Sequence, residues 1–252
     1  MRFHRHVLLV LLLTGSVHAA AQDFGPGRHV MTRPLVLHSH QVLRGAGSEQ
    51  TLLYFPEGLV AMGVPCTNKY EKDCHQWRGG VISLTGTNVH LQGVTIEFPP
   101  HPWAHWSHDN QGYNGVSFYQ CTHCSAEDVV VRNADVGIAL SWSEYVTVEN
   151  TAVYANPSGA HIHYADTAGR NSTINNFKAY GDSTHGLVGS WGAQNTVFSN
   201  GWGTSLRLEP DHNGPATENM LYRNITGRIR SIQRTNRAGK PVDAQFINVG
   251  GH

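Results

Sequence analysis

Val146-Thr147-Val148-Glu149-Asn150, Thr173-Ile174-Asn175-Asn176, Thr196-Val197-Phe198-Ser199-Asn200 and Leu221-Tyr222-Arg223-Asn224 repeat one pattern, a short alternating run closed by asparagine. Val129-Val130-Val131-Arg132-Asn133 opens the series. After each asparagine the chain soon re-enters another strand-like run. The spacing settles at about 24 residues, a period that marks a stacked repeat rather than a folded-back globule. Asparagine tolerates left-handed backbone and satisfies neighbouring backbone groups with its amide, so a ladder of asparagines inside a bend is expected.

A second set of runs interleaves with the first. It comprises Val81–Leu84, Gly115–Phe118, Gly137–Leu140, His161–Tyr164, Gly186–Val188 and Ser205–Leu208. Each alternates with period two, so one set of side chains faces a core and the other faces out. Short strands, Gly and Asn corners and a period in the low twenties describe an all-β fold, a single-stranded right-handed parallel β-helix. On these runs the chain resembles the pectate-lyase-like superfamily over roughly residues 25 to 250, a superfold shared by many functions. Phe246-Ile247-Asn248 reads as a last strand with its asparagine, and no amphipathic cap follows it. A fragment, or an end covered by oligomerisation, would account for that. A monomer is the expected state.

The chain opens with a basic stub, Met1 to His6, then an aliphatic run from Val7 to Leu13 and an Ala19-Ala20-Ala21 site. That is a secretory signal peptide over residues 1–21, followed by one β-helix domain over 22–252, secreted or periplasmic. Four cysteines suit an oxidising compartment. Cys66 and Cys74 bracket a polar insertion that a disulfide would pin. Cys121-Thr122-His123-Cys124 reads as a structural disulfide or a pair of reduced core thiols. Eighteen basic and 18 acidic residues balance, and no basic stripe suggests nucleic acid. No run after the leader is apolar enough to span a membrane.

With Val116, Ile138, Ile162, Leu187 and Leu206 facing inward, His163, Ser190, Arg207 and Glu209 fall on one outward stripe. Trp142 and Trp191 stand just past the strand ends. Such a stripe suits a sugar chain, with aromatic faces for ring stacking and polar groups for hydroxyls. Glu209-Pro210-Asp211 places two carboxylates roughly 6.5 to 7 Å apart, which overlaps the separation in inverting glycosidases. Leu206-Arg207-Leu208-Glu209-Pro210-Asp211 also resembles the E-x-D segment of the iota-carrageenases, inverting β-helix hydrolases. That resemblance implies Glu209 as general acid and Asp211 as general base.

His161-Ile162-His163, with Asp166 and His185 nearby, leaves proton transfer, metal ligation and a structural role open. The loop 99–113 carries Trp103 and Trp106 and reads as a wall over the groove. The site assignments are therefore Glu209, Asp211 and His163 for catalysis. Arg207, His161, His185, Trp142, Trp191, Tyr119, Trp103 and Trp106 are assigned to substrate binding. No metal or other cofactor is assigned. The expected function is a polysaccharide-degrading glycoside hydrolase, with a polysaccharide lyase or a non-catalytic sugar-binding protein as alternatives. In the lyase a base (His163, His161 or Tyr119) would take the proton beside a uronic carboxylate neutralised by Arg207.

Overall fold

A computed structural model describes residues 20–64, 79–103 and 111–250. The leader up to residue 19, the Cys66–Cys74 bridge and Trp106 lie outside the described residues. Seventeen strands form one continuous, almost wholly parallel ladder. They are β1 (Ala20–Asp23), β2 (Gly27–Val30), β3 (Leu35–Leu37), β4 (Gln41–Arg44), β5 (Thr51–Tyr54), β6 (Ile82–Thr87), β7 (His90–Glu97), β8 (Asn114–Thr122) and β9 (Ser125–Ala134). Then come β10 (Val136–Ser141), β11 (Thr147–Ala155), β12 (Ala160–Thr167), β13 (Thr173–Tyr180), β14 (Ser183–Ser190), β15 (Val197–Glu209), β16 (Met220–Ile232) and β17 (Ala244–Val249). The runs read from alternation fall within these strands or at their edges. The fold is the expected parallel β-helix.

Each coil turns through three faces. The first stacks β3, β6, β8, β10, β12, β14 and the ends of β15 and β16. The second begins at β1 and β4 and ends at β17, and the third begins at β2 and β5. From β7 onward the second and third faces share single strands bent at a left-handed residue. In successive coils that residue is Gly93, Asp128, Asn150, Asn176, Asn200, Asn224 and Asn248, all with positive φ. Asn224 Nδ2 donates to Asn200 Oδ1 at 2.9 Å, and Asn248 Nδ2 to Asn224 Oδ1 at 3.0 Å. The expected ladder therefore exists. A second ladder, Asn171–Asn195–Asn219, marks another corner, with amide bonds of 3.0 and 2.8 Å. Asn133 belongs to neither: its amide donates to Phe98 O at 2.8 Å, and Asp128 holds the ladder position in that coil.

The interior is filled by columns of like residues one coil apart, about 4.8 Å. On the second face Phe198, Tyr222 and Phe246 stack with centroids 5.0 and 5.2 Å apart. Gly201 is required under this packing, because a Cβ there would stand 2.0 Å from the Phe177 ring. Cys121 and Cys124 are buried and disulfide-bonded at the first corner, which settles that pair in favour of the bridge. A disulfide is compatible with an oxidising compartment.

The register of the first face differs from the sequence expectation. Ile138 pairs with Tyr164, not Ile162, and Tyr164 in turn pairs with Leu187. Coils vary in length, and the strand alternation breaks at Gly137, His163 and Gly186, where the chain rounds a corner. Ile162 consequently faces out, clustered with Val136, Ala139, Ala165 and Val188, while His163 turns inward. Val116, Ile138, Leu187 and Leu206 do face the core.

Candidate functional site

The proposed stripe of His163, Ser190, Arg207 and Glu209 does not form. Glu209 pairs with Val188, so its column is Ser117, Ala139, Ala165 and Val188. Ser190 lies two residues farther along, in register with Thr167 and Ser141. His163 is fully buried. Its Nε2 donates to Tyr180 O at 3.1 Å, so Nδ1 accepts from Ser183 Oγ at 2.9 Å. Burial, only partly offset by the Tyr180 carbonyl, lowers its pKa to about 4. A neutral imidazole with both nitrogens engaged inside the wall does not reach substrate, so the catalytic assignment of His163 is corrected to a structural one. Arg207 is half-buried with its Nε unpartnered. Its charge acts on Asp182, and it does not line the pocket described next.

Glu209 ends β15 and projects into an open pocket of about 330 Å³ lined by His185, His212, Ser231, Ile232, Gln233 and Arg237. Glu209 Oε2 lies 2.7 Å from His185 Nδ1 and 3.0 Å from His212 Nδ1. The two imidazole centroids are 4.0 Å apart. Burial opposes the Glu209 charge, but the hydrogen bonds from His185 and His212 outweigh it and bring the pKa down to about 2. A carboxyl so held is ionised at neutral pH and carries no proton to give, contrary to the general-acid role. Asp211 lies beyond the strand end, buried and outside the pocket lining. Gln233 clamps its main chain, accepting from Asp211 N at 3.0 Å and donating to Asp211 O at 2.8 Å. The two carboxylates thus serve different surroundings and do not form a facing pair.

Around the pocket, His161 sits 5.2 Å from the His185 ring and 6.3 Å from the Trp103 ring, the latter nearly parallel to it. Trp103 is anchored by Ser158 Oγ at 2.8 Å. Tyr119, Trp142 and Trp191 form an exposed aromatic row along the next corner, each close to half exposed. Tyr119 meets Trp142 edge-on at 5.9 Å. Trp142 and Trp191 both hold positive φ and flank Ala168, so they stand two coils or about 9.6 Å apart. Trp191 N–H donates to Asn213 O, which joins this row to the turn carrying His212.

Sequence reading missed His212, Gln233 and Arg237. His212 stood three residues after Glu209 and was the legible one. Arg237 lies in the loop after β16, where no periodicity assigns a direction.

The profile of a family described as "Periplasmic copper-binding protein (NosD)" matches residues 79–238. The chain belongs to the NosD family. No curated protein matches it by sequence. Among solved structures, this NosD-family chain is similar to a putative glycosyl hydrolase from Parabacteroides merdae, at 14% identity and TM-score 0.56, over 73% of this chain and 81% of that one. It is also similar to pectin methylesterase PemA from Erwinia chrysanthemi, at 12% identity and TM-score 0.55, covering 94% and 82%. The catalytic domain of a GH87 α-1,3-glucanase in complex with nigerose matches at 10% identity and TM-score 0.54, over 91% of this chain but 59% of that one. At such identities these likenesses establish the fold alone.

The copper in the family's description can be tested against the residues present. Among the described residues, His185, Glu209 and His212 form the cluster whose three donor atoms lie within 4.8 Å of one another. Two imidazoles and a carboxylate suit copper or zinc. The donor set fits.

Proposed function

We propose that the protein is exported and cleaves an acidic polysaccharide at the Glu209 pocket, with sugar rings seated on Tyr119, Trp142 and Trp191. The observation that carries this reading is the junction of an exposed aromatic row with a pocket holding Arg237 beside an ionised carboxylate. Aromatic faces bind sugar rings by stacking. A guanidinium neutralises a uronate carboxylate by paired hydrogen bonds. Several structural neighbours are carbohydrate-active β-helix enzymes by name, which supports the reading by analogy only.

Hydrolysis by a Glu209 acid and an Asp211 base lacks its proton donor in this pocket. β-Elimination asks for different groups. Arg237 offsets the charge that builds on the uronate as a base takes the proton from the carbon beside it. The freed electron pair forms the carbon–carbon double bond, the glycosidic C–O bond breaks, and the departing oxygen takes a proton from water. We assign the base to His161, which is buried behind Trp103 and outside the pocket lining. It packs 5.2 Å from the ring of His185 in the pocket wall, so the role requires the substrate to reach it past Trp103.

The test incubates the purified chain with uronate-containing, sulfated and neutral polysaccharides. Ultraviolet absorbance of an unsaturated product and new reducing ends are read together. Elimination gives both signals on the uronate glycans. Reducing ends without absorbance would restore hydrolysis, and glycan binding with neither signal would make the protein a binding module.

A further inference from the structure

We infer that His185, Glu209 and His212 form a copper(II) site, with Glu209 supplying one carboxylate oxygen between two imidazole Nδ1 atoms. The inference does not depend on glycan cleavage. It concerns which ion these three side chains hold.

Glu209 Oε2 stands 2.7 Å from His185 Nδ1 and 3.0 Å from His212 Nδ1. Both separations are those of hydrogen bonds from the imidazoles to the carboxylate, so they bring the three donors together without fixing a coordination geometry. Each Nδ1 would release its proton as an ion binds, and nitrogen and oxygen donors suit copper(II). The intrinsic order of divalent affinities points the same way.

The side chains are only 11, 16 and 17% exposed, so the donors are largely held by the fold while the pocket mouth admits an ion. They come from three separate places: β14, the end of β15 and the turn after it. Pre-positioning of that kind removes most of the ordering cost of binding. Arg237 in the same pocket opposes a bare cation and favours an anion in the open position, which is where a uronate carboxylate would enter.

The experiment uses the full mature chain without an affinity tag, stripped with chelator and dialysed. Titration calorimetry with copper sulfate, and separately with zinc chloride, gives stoichiometry and relative affinity. Electron paramagnetic resonance of the copper-loaded protein counts the bound nitrogens. We expect one copper(II) per chain, coupling to two imidazole nitrogens, and zinc bound at least tenfold more weakly.

Glu209→Gln is expected to weaken copper at least tenfold, and the double variant His185→Ala/His212→Ala to abolish the two-nitrogen spectrum. Circular dichroism establishes that each variant is folded. Should the double variant fail to fold, Glu209→Gln alone decides. A folded variant that keeps the wild-type affinity and spectrum overturns the site, because copper is then held elsewhere among the 17 histidines. Fewer than half an equivalent bound to the wild type also overturns it. Copper bound as expected with no glycan cleaved would sink the elimination reading and leave the metal site standing.

Discussion

Asp166→Asn is expected to make the protein more stable at pH 8 and to remove a pH dependence from its stability. Asp166 lies in β12 and faces the core in register with Leu140 and Gly189. It is fully buried, and the Thr196 hydroxyl donates to its Oδ2. Burial raises its pKa from 3.8 to about 7, the Thr196 and Gly169 hydrogen bonds offsetting only part of the rise.

The sign follows from where the proton binds. Between pH 3.8 and about 7 the folded state holds a proton that the unfolded state has released, so stability falls as pH rises through that window. Three pH units at about 1.4 kcal/mol each make the loss about 4 kcal/mol. Asparagine keeps an oxygen for Thr196 and ionises in neither state.

His163 acts in the opposite sense. Its pKa of about 4, lowered from 6.5, costs stability as pH falls through that interval, by roughly 3 kcal/mol. In the wild type the two residues oppose each other below pH 6.5. In Asp166→Asn the His163 loss stands alone.

Denaturant unfolding followed by circular dichroism from pH 4 to 8 tests this directly. The difference in stability, variant minus wild type, is expected to climb by about 4 kcal/mol across the series, with His163 cancelling. In thermal melts that climb is roughly 8–16 °C for a chain of this size. A difference that stays flat with pH would refute the assignment of a buried, proton-holding carboxyl at this position.

Three further outcomes are expected. Asp135→Ala removes the buried carboxyl that lies 2.8 Å from His101 Nε2, whose Nδ1 donates to Pro99 O; denaturant melts should show a loss of about 1–3 kcal/mol. Gly201→Ala forces a methyl into the Phe177 ring and should cost about 1–3 kcal/mol in the same assay, provided the ring can shift. Trp142→Ala with Trp191→Ala should weaken polysaccharide retention in affinity electrophoresis at least tenfold while leaving copper affinity unchanged, and unchanged retention would remove the aromatic row from the glycan site.

The coils were legible because period-two alternation and asparagine at left-handed corners are local signals, written residue by residue. Register was not, because it depends on the length of each coil. A uniform period of about 24 residues matches Ile138 to Ile162, but the longer coil between them brings Tyr164 to that level. Gly137, His163 and Gly186 then reverse the alternation, and no single sequence shows where a strand rounds a corner. His163 was lost to the site for that reason, while His185 remained in it. Glu209 was found for a motif that does not operate as expected: its partners are two imidazoles, and Asp211 is turned to another role.

A perfectly regular stack places like beside like and makes columns, not sites. The donors converge where the regularity fails. β15 pairs with β14 only at Leu187–Leu208 and Val188–Glu209, and its ladder with β16 shifts at Leu206 and Arg207. His185 and Glu209 therefore meet diagonally, and the turn after Pro210 swings His212 back onto the same carboxylate. That turn is fixed by His212 N–H on Gly189 O at 2.9 Å, by Thr217 Oγ1 on Pro210 O at 2.6 Å and by the Gln233 clamp on Asp211. Gln233→Ala removes two of these bonds, about 1–3 kcal/mol of restraint, while leaving every copper donor in place. Copper affinity should then fall severalfold, less than for loss of His212, with the two-nitrogen resonance broadened. Gln233→Glu should do at least as much harm, because a carboxylate oxygen would face the Asp211 carbonyl where an amide now donates. If both variants bind copper as the wild type does, the clamp has no part in shaping the site, and the two remaining bonds suffice to hold His212 on Glu209.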